Sequence, residues 1–241
     1  MKPQPFLRTV SLPPGHGAPG EFPFDLPLFS RPFQLDFTSM VTILVGENGC
    51  GKSTLLEAVA QRAGFQIEGG SRQHRGGQED AAVSALVPAL RLVWRYRGVR
   101  GFFLRAESFY KFAQYLEEAG SDFRAYGGKS LLAQSHGESF LALFRNNFED
   151  GLYILDEPEA ALSPARQLSF LSILRDLTRH GNAQFVIATH SPIVLAFPGA
   201  QVISLDGGEF REVDYRETDH YRITRSFLEA PERYFRTLFE D

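Results

Sequence analysis

An α/β fold built around a buried, mostly parallel sheet is predicted by three features of the sequence. Short apolar runs lie at 41–45, 152–155 and 185–189, and the first of them is rich in β-branched residues. Each run ends at glycine, acidic or histidine residues, and the first is followed by apolar residues at helical spacing. The length of 241 residues suits one α/β domain with an insertion or a small subdomain.

The composition excludes several classes of protein. The formal net charge of −4 argues against a chain that binds nucleic acid through overall basicity. No apolar run approaches the roughly 20 residues that cross a membrane, and the proline-rich start lacks the apolar core of a signal peptide. One cysteine excludes an internal disulfide framework. We therefore expect a cytoplasmic protein without membrane insertion.

The first 40 residues predict a small antiparallel sheet that leads into the first buried strand. Alternating patterns at 6–10 and 33–37 indicate two strands, separated by a Pro/Gly-rich loop at 13–27. Phe22 or Phe24 in this loop could stack on an adenine base, although packing in the core is the favoured role.

A phosphate-binding loop follows the strand at 41–45. Its sequence, Gly46-Glu47-Asn48-Gly49-Cys50-Gly51-Lys52-Ser53, has the G-x-x-x-x-G-K-S pattern between a strand and a helix that begins near Thr54. The glycines let backbone N–H groups approach a polyphosphate, and Lys52 is expected on the β- and γ-phosphates. Ser53 is expected to ligate Mg²⁺. An ordinary glycine-rich turn is the alternative, and the coincidence of strand, loop and helix argues against it.

The single cysteine lies inside this loop. The helix dipole and Lys52 could lower the pKa of the Cys50 thiol and make it a redox switch for nucleotide binding. A small residue tolerated in the loop is the favoured interpretation.

Residues 69–149 are expected to form a partly helical insertion between the two parts of a nucleotide-binding core, 1–68 and 150–241. Its strands at 90–96 and 101–105 suggest a hairpin with an arginine-rich face. This face could contact phosphate or an acidic partner, or simply be solvated. Helices are predicted at 108–120 and 139–148.

A Walker B element is predicted at Leu152–Glu157. The buried strand would deliver Asp156 to Mg²⁺, and Glu157 would position or deprotonate the attacking water. The next buried strand ends at His190, which could reach the γ-phosphate or hydrogen-bond the water-activating carboxylate.

These motifs resemble those of the ABC-type ATPases. Residues 159–163 stand in the place of the D-loop, and residues 189–191 in the place of the H-switch. Ser135, Gly137 and Glu138 open a predicted helix and match a degenerate LSGGQ signature. The resemblance implies an ABC-like mixed sheet in which the signature of one subunit closes the ATP bound to the phosphate loop of another.

The sequence departs from the ABC-type pattern at two positions. In both it is similar to the soluble, stand-alone branch labelled AAA-type, which groups with RecF-like and overcoming-lysogenisation-type enzymes. No glutamine follows the strand near Leu104, where the family has its Q-loop, and Glu107 is the candidate replacement. His136 stands where transporters have glycine. After His190, a hairpin at 201–213 and two helices at 218–239 are predicted. The helices are expected to pack on the sheet, with a partner interface as the alternative.

The predicted function is hydrolysis of ATP with Mg²⁺ and ATP-dependent head-to-tail homodimerisation. These are expected to be coupled to an unidentified DNA or protein partner, with a DNA transaction or defence as the candidate processes. Two alternatives stay open, an ATPase subunit of an ABC transporter and a nucleotide-gated scaffold with little turnover. The missing Q-loop glutamine argues against the transporter.

Overall fold

The computed structural model describes residues 4–15, 20–65, 83–96, 100–106, 109–118, 128–148 and 150–239. The strands in this part of the chain are β1 Leu7–Leu12, β2 Phe33–Asp36, β3 Val41–Val45, β4 Arg91–Trp94, β5 Gly101–Arg105, β6 Gly151–Asp156, β7 Ala183–Ala188, β8 Gln201–Ser204 and β9 Arg211–Glu212. The helices are α1 Lys52–Ala63, α2 Leu86–Ala89, α3 Phe109–Glu118, α4 His136–Asn147, α5 Pro164–Thr178, α6 Pro192–Leu195, α7 Asp219–Glu229 and α8 Pro231–Phe239.

The strands form two sheets. The larger sheet has the order β5-β6-β7-β3-β8-β9, in which every neighbouring pair is parallel except β8 with β9. The smaller sheet has the order β2-β1-β4 and is antiparallel. The predicted α/β class with an antiparallel N-terminal sheet is confirmed, and so is the hairpin of β8 and β9.

The predicted hairpin of residues 90–96 and 101–105 is wrong. Strand β4 pairs with β1 in the smaller sheet, whereas β5 pairs in parallel with β6 in the larger one. The arginine-rich face proposed for that hairpin therefore does not form. Arg91 and Arg95 are exposed on or beside β4, and Arg105 lies at the end of β5.

Apart from its exposed edge strand β9, the larger sheet is buried on both faces, which explains the continuous apolar runs of its inner strands. Along β6, Tyr153 and Leu155 belong to the core that contains α3, α4 and α5. Leu152 and Ile154, which point the other way, belong to the core that contains α1 and the smaller sheet.

A buried glutamine joins the two sheets. The Gln184 side chain, on β7, accepts a hydrogen bond from the Leu7 N–H at 2.8 Å and donates to the Leu7 carbonyl at 3.0 Å. The amide thus satisfies both backbone groups of a strand residue that has no exposed surface.

The last two helices have the predicted boundaries but not the predicted packing. Helices α7 and α8 contain no buried residue, and 72% of Leu228 and 67% of Leu238 is exposed. Phe227 instead contacts Tyr234 and Phe235, so the two helices pack against each other. The expectation that their apolar face covers the sheet is therefore wrong.

No helix in the described ranges combines the length and the apolar character needed to cross a membrane.

Candidate functional site

The phosphate loop lies between β3 and α1, as the sequence predicts. Gly49 and Gly51 have φ values of 81° and 100°, a region that favours glycine. A β-carbon on Gly51 would also lie 3.1 Å from the Phe29 ring. The loop therefore needs glycine here both for its backbone conformation and for its packing.

Lys52 is held at the mouth of this loop. Its side chain is buried, and Nζ donates hydrogen bonds to the Gly46 carbonyl at 2.6 Å and to the Glu47 carbonyl at 3.0 Å. The ammonium group is thus fixed against the backbone that would surround a phosphate chain. The geometry fits a nucleoside triphosphate.

An aspartate that follows the neighbouring strand β8 supports the loop, and sequence reasoning missed it. Asp206 Oδ1 accepts a hydrogen bond from the Glu47 N–H at 2.9 Å, and Asp206 Oδ2 accepts one from the Ser204 hydroxyl at 2.9 Å. A β-carbon on Gly46 would lie 3.0 Å from Asp206 Oδ1. The one feature of the sequence that could have indicated this role of Asp206 is its position just after β8, the strand beside β3.

The two predicted metal ligands meet. Ser53 Oγ lies 3.1 Å from Asp156 Oδ1, and Asp156 is buried at the end of β6. Burial raises the pKa of the Asp156 carboxyl, against the opposing effect of Arg105. A hydroxyl and a carboxylate are oxygen donors of the kind Mg²⁺ takes beside substrate phosphates, so these residues fit that ion. In the described ranges no group of three or more His, Cys, Asp or Glu side chains could hold a metal.

Arg105 joins Asp156 to a second buried carboxylate, a contact that sequence reasoning did not find. Its Nε lies 3.1 Å from Asp156 Oδ2, and its Nη2 lies 3.0 Å from Glu57 Oε2 on α1. Both carboxylates are almost completely buried. The guanidinium therefore occupies the neighbourhood where the family places its Q-loop. Glu107, the predicted replacement for that glutamine, lies outside the described residues.

Glu157 follows β6 in a left-handed conformation, with φ 49° and ψ 53°. Among the described residues it is the only non-glycine with positive φ. Its Oε1 lies 3.5 Å from His190 Nε2. The two residues predicted to activate water and sense phosphate are thus adjacent.

His190 is fixed by two neighbours that the sequence analysis did not assign. Glu159 Oε1 accepts hydrogen bonds from the backbone N–H groups of His190 at 2.6 Å and Ser191 at 3.2 Å. His190 Nδ1 lies 2.6 Å from His220 Nε2, on α7. Burial lowers the pKa of both imidazoles, and Lys52 lowers that of His190 further. Both rings are therefore neutral at neutral pH.

The signature residues open α4 as predicted. The Glu138 carboxylate accepts hydrogen bonds from the Ser135 hydroxyl at 2.6 Å and from the Ser135 N–H at 3.2 Å, in the manner of a capping box. Arg166 on α5 forms an ion pair with Glu138 at 3.2 Å. Gly137 is buried, and a β-carbon there would lie 3.0 Å from the Ala161 carbonyl oxygen. These contacts are all within one chain, and the expected role in a partner's site stays a prediction.

Two further expectations concern Cys50 and the early phenylalanines. Burial raises the pKa of the Cys50 thiol, which opposes the redox hypothesis. Phe24 is buried in the core beside α1, whereas 46% of Phe22 is exposed. Of the two, Phe22 is the one that a base could reach.

Two segments of the chain match family models. Residues 24–86, which include the phosphate loop, match a model described as "AAA domain". Residues 139–196, which include Asp156, Glu157 and His190, match one described as "AAA domain, putative AbiEii toxin, Type IV TA system".

Two curated relatives are ATP-binding proteins of transport systems. The chain is 26% identical over 207 residues to the ribose import ATP-binding protein RbsA 2 of Burkholderia ambifaria, covering 77% of this chain and 40% of that protein. It is 29% identical over 170 residues to the achromobactin transport ATP-binding protein CbrD of Dickeya dadantii, covering 62% of each. The chain thus spans less than two thirds of either relative.

Solved structures share the fold. The SMC head domain from Thermotoga maritima is 18% identical, with a TM-score of 0.50, and the match covers 87% of this chain and 99% of that one. CbiO1 from Clostridium perfringens, part of the ABC transporter complex cbiONQ, is 14% identical with a TM-score of 0.51, covering 95% and 97%. A structure of the SmcHead bound to the C-winged helix domain of ScpA is 12% identical with a TM-score of 0.52, covering 87% and 98%.

The fold is therefore that of ABC-type ATPases and SMC heads, and the resemblance predicted from the sequence is confirmed. Two segments of the chain also match AAA domain models, and the two curated relatives are ATP-binding proteins.

Proposed function

We propose that this chain, which has the fold of ABC-type ATPases and SMC heads, hydrolyses ATP with Mg²⁺ and that ATP joins two copies head to tail. The observation that carries the proposal is the convergence of five side chains where three neighbouring parallel strands, β3, β7 and β6, end. They are Lys52, Ser53, Asp156, Glu157 and His190.

Each side chain has a role that suits its position. Lys52 binds the β- and γ-phosphates as a buried point charge, and the loop N–H groups orient the phosphate chain. Ser53 and Asp156 would hold Mg²⁺, which supplies charge neutralisation when bound. Glu157 orients the attacking water and accepts its proton, and His190 donates a hydrogen bond toward the γ-phosphate.

The head-to-tail dimer is supported by the exposure of the signature. Ser135 and Glu138 lie at the start of α4 with exposed side chains, and their hydrogen bonds and ion pair are to α4 and α5. In the proposed dimer, Ser135, Gly137 and Glu138 of one copy close the ATP on the phosphate loop of the other. ATP then holds the dimer together, and hydrolysis releases it.

A Glu157→Gln variant tests both halves of the proposal. Replacing the carboxylate removes the proton acceptor, so phosphate release should fall about 100-fold or more. Because ATP stays bound, the variant should be a dimer in MgATP by light scattering after size exclusion, and a monomer without nucleotide.

The control carries Glu157→Gln together with Lys52→Ala. It lacks the phosphate-binding lysine and should stay monomeric in MgATP. A single variant that remains monomeric at saturating MgATP contradicts the dimer, and a wild-type chain that binds MgATP without releasing phosphate favours the scaffold alternative.

The Glu157→Gln variant, with ATP bound, can also be used to identify the partner. The names of the two curated relatives refer to import and transport, which favours the transporter alternative. The hairpin through which DNA was predicted to bind does not form, because β4 pairs with β1 and β5 with β6. A pulldown with Glu157→Gln in MgATP, analysed for both protein and nucleic acid, distinguishes these partners. The double variant serves as the background.

A further inference from the structure

A second histidine contacts the ring of His190 on the side away from Glu157. His220 is the second residue of α7, whose first turn is capped by Thr218. Its Nε2 lies 2.6 Å from His190 Nδ1, and the two ring centres are 4.7 Å apart. The other ring nitrogen of His190, Nε2, is buried, has no hydrogen-bond partner among the described residues and lies 3.5 Å from Glu157 Oε1.

Only one proton can lie between the two rings. Two N–H groups facing each other at this distance would repel, and so would two lone pairs. Burial and Lys52 keep His190 neutral, so its ring carries one N–H in total. The shared proton therefore belongs either to His190 Nδ1 or to His220 Nε2, and this choice fixes the state of His190 Nε2.

The carboxylate decides between the two arrangements. The atom that faces His190 Nε2 is a carboxyl oxygen, Glu157 Oε1, and in the proposed complex also a phosphate oxygen, which only accepts hydrogen bonds. A lone pair on His190 Nε2 would face such oxygens unfavourably, whereas an N–H would be attracted to them. His190 then carries its proton on Nε2, and its Nδ1 accepts the hydrogen bond.

We propose that His220 is a positioning residue, which donates a hydrogen bond from Nε2 to His190 Nδ1 and thereby keeps the proton of His190 on Nε2. A neighbour that holds one ring nitrogen sets the tautomer presented by the other. This inference rests on the proposed function only in the role of His190 toward the γ-phosphate. It adds that a residue of α7, outside the motifs of the phosphate loop and strand ends, determines whether His190 Nε2 carries a proton.

The direct test reads the tautomer without nucleotide or metal. In protein labelled with ¹⁵N-histidine at neutral pH, protonated and unprotonated ring nitrogens have widely separated ¹⁵N shifts, and His190 and His220 single variants assign the signals. Wild type should show His190 with the proton on Nε2. In His220→Phe, which keeps a ring but loses the donor, the two nitrogens of His190 should move toward averaged shifts.

A conservative variant separates positioning from packing. His220→Gln places an amide N–H near the position of Nε2, so it should retain the wild-type tautomer. His180→Phe, at an exposed histidine outside the cluster, is the control and should leave the His190 signals unchanged. A wild-type His190 with its proton on Nδ1, or a His220→Phe spectrum equal to wild type, would overturn the inference.

Kinetics provide the second readout. His220→Phe should lower kcat about 10- to 100-fold, with KM for ATP changed by less than about twofold, and His220→Gln should recover most of the loss. A kcat equal to wild type in His220→Phe would overturn the inference even if the ATPase proposal stands. A wild type without turnover would overturn the ATPase proposal, and the spectra would still decide the tautomer.

Discussion

The backbone of Glu157 is held in a conformation that few residues with a side chain adopt. Its φ of 49° places it in the left-handed region, and its N–H donates to the Ala188 carbonyl of the neighbouring strand at 2.9 Å. Such a conformation costs a non-glycine residue about 1–2 kcal/mol. Strain of this kind clusters at functional sites, where the surrounding structure enforces it.

Exchanging Glu157 for alanine and for glycine should reveal this strain. Both variants lose the carboxylate and should release phosphate at least about 100-fold more slowly. The glycine variant should nevertheless be more stable than the alanine variant by about 1 kcal/mol in urea unfolding, because glycine adopts positive φ without a β-carbon clash. Equal stability, or a more stable alanine variant, would show that Glu157 is not strained.

At this scale the sequence predicted the residues on the strand ends but not their partners. Lys52, Ser53, Asp156 and Glu157 belong to contiguous motifs, so their spacing alone indicates their chemistry. His220 and Asp206 each reach the site from a distant segment, and a single histidine or aspartate carries no local pattern. Only the folded sheet and helix α7 bring them there.

Three elements meet at Arg105. The side chain extends from the end of β5 to Asp156 on β6 and to Glu57 on α1, and only 27% of it is exposed. Glu57 also lies 3.5 Å from Gln61 on the same helix. The guanidinium is thus the positive charge that pairs with both buried carboxylates. Its removal would leave both carboxylates buried without this counter-charge.

Arg105→Met should lower the free energy of unfolding by about 3 kcal/mol at neutral pH. Burial raises the pKa of Asp156 in the folded protein, and losing the guanidinium raises it further. The folded state then binds protons more readily than the unfolded chain, so the loss should shrink as the pH falls from about 7 toward 5.

Arg95→Met, at an exposed position, is the matched control and should change stability by less than about 0.5 kcal/mol. Denaturant unfolding at several pH values measures both variants. A deficit for Arg105→Met that grows on acidification would contradict the shared-charge interpretation.

Strand positions were predictable from alternation and apolar runs, but strand partners were not. Residues 90–96 and 101–105 have the composition of a hairpin, and a short glycine-containing connection favours that pairing locally. Pairing of β4 with β1 and of β5 with β6 is decided by contacts between segments far apart in sequence, which local patterns do not encode.

On the scale of the whole molecule, the C-terminal helices contribute no residue to the two buried cores, and α7 reaches the body of the protein through His220 and His190. A cavity of about 740 Å³ lies between α7 and residues of α5 and α6, lined in part by Gln167, His190 and Leu228. Helical periodicity correctly predicted an apolar face on α7 and α8. It could not predict what covers that face, because periodicity identifies a stripe and not its neighbour.

Leu228→Glu combined with Leu238→Glu should change the free energy of unfolding of the single chain by less than about 0.5 kcal/mol, since both side chains are mostly exposed. Phe170→Ala, at a fully buried position of α5, should by contrast cost about 4 kcal/mol. Urea unfolding at low protein concentration measures both. A loss of more than about 2 kcal/mol in the double variant would show that the helices pack on the body of the protein.

The packing of Gly137 has an evolutionary consequence. A β-carbon at this position would meet the Ala161 backbone oxygen at 3.0 Å, and Arg166 at shorter distances that its flexible side chain can relieve. Glycine is thus favoured here by the fold of the single chain, and its retention among descendants would record selection on folding as well as on assembly. Ser135 and Glu138 have exposed side chains, so a substitution there would cost the single chain only the cap of α4 and the ion pair with Arg166.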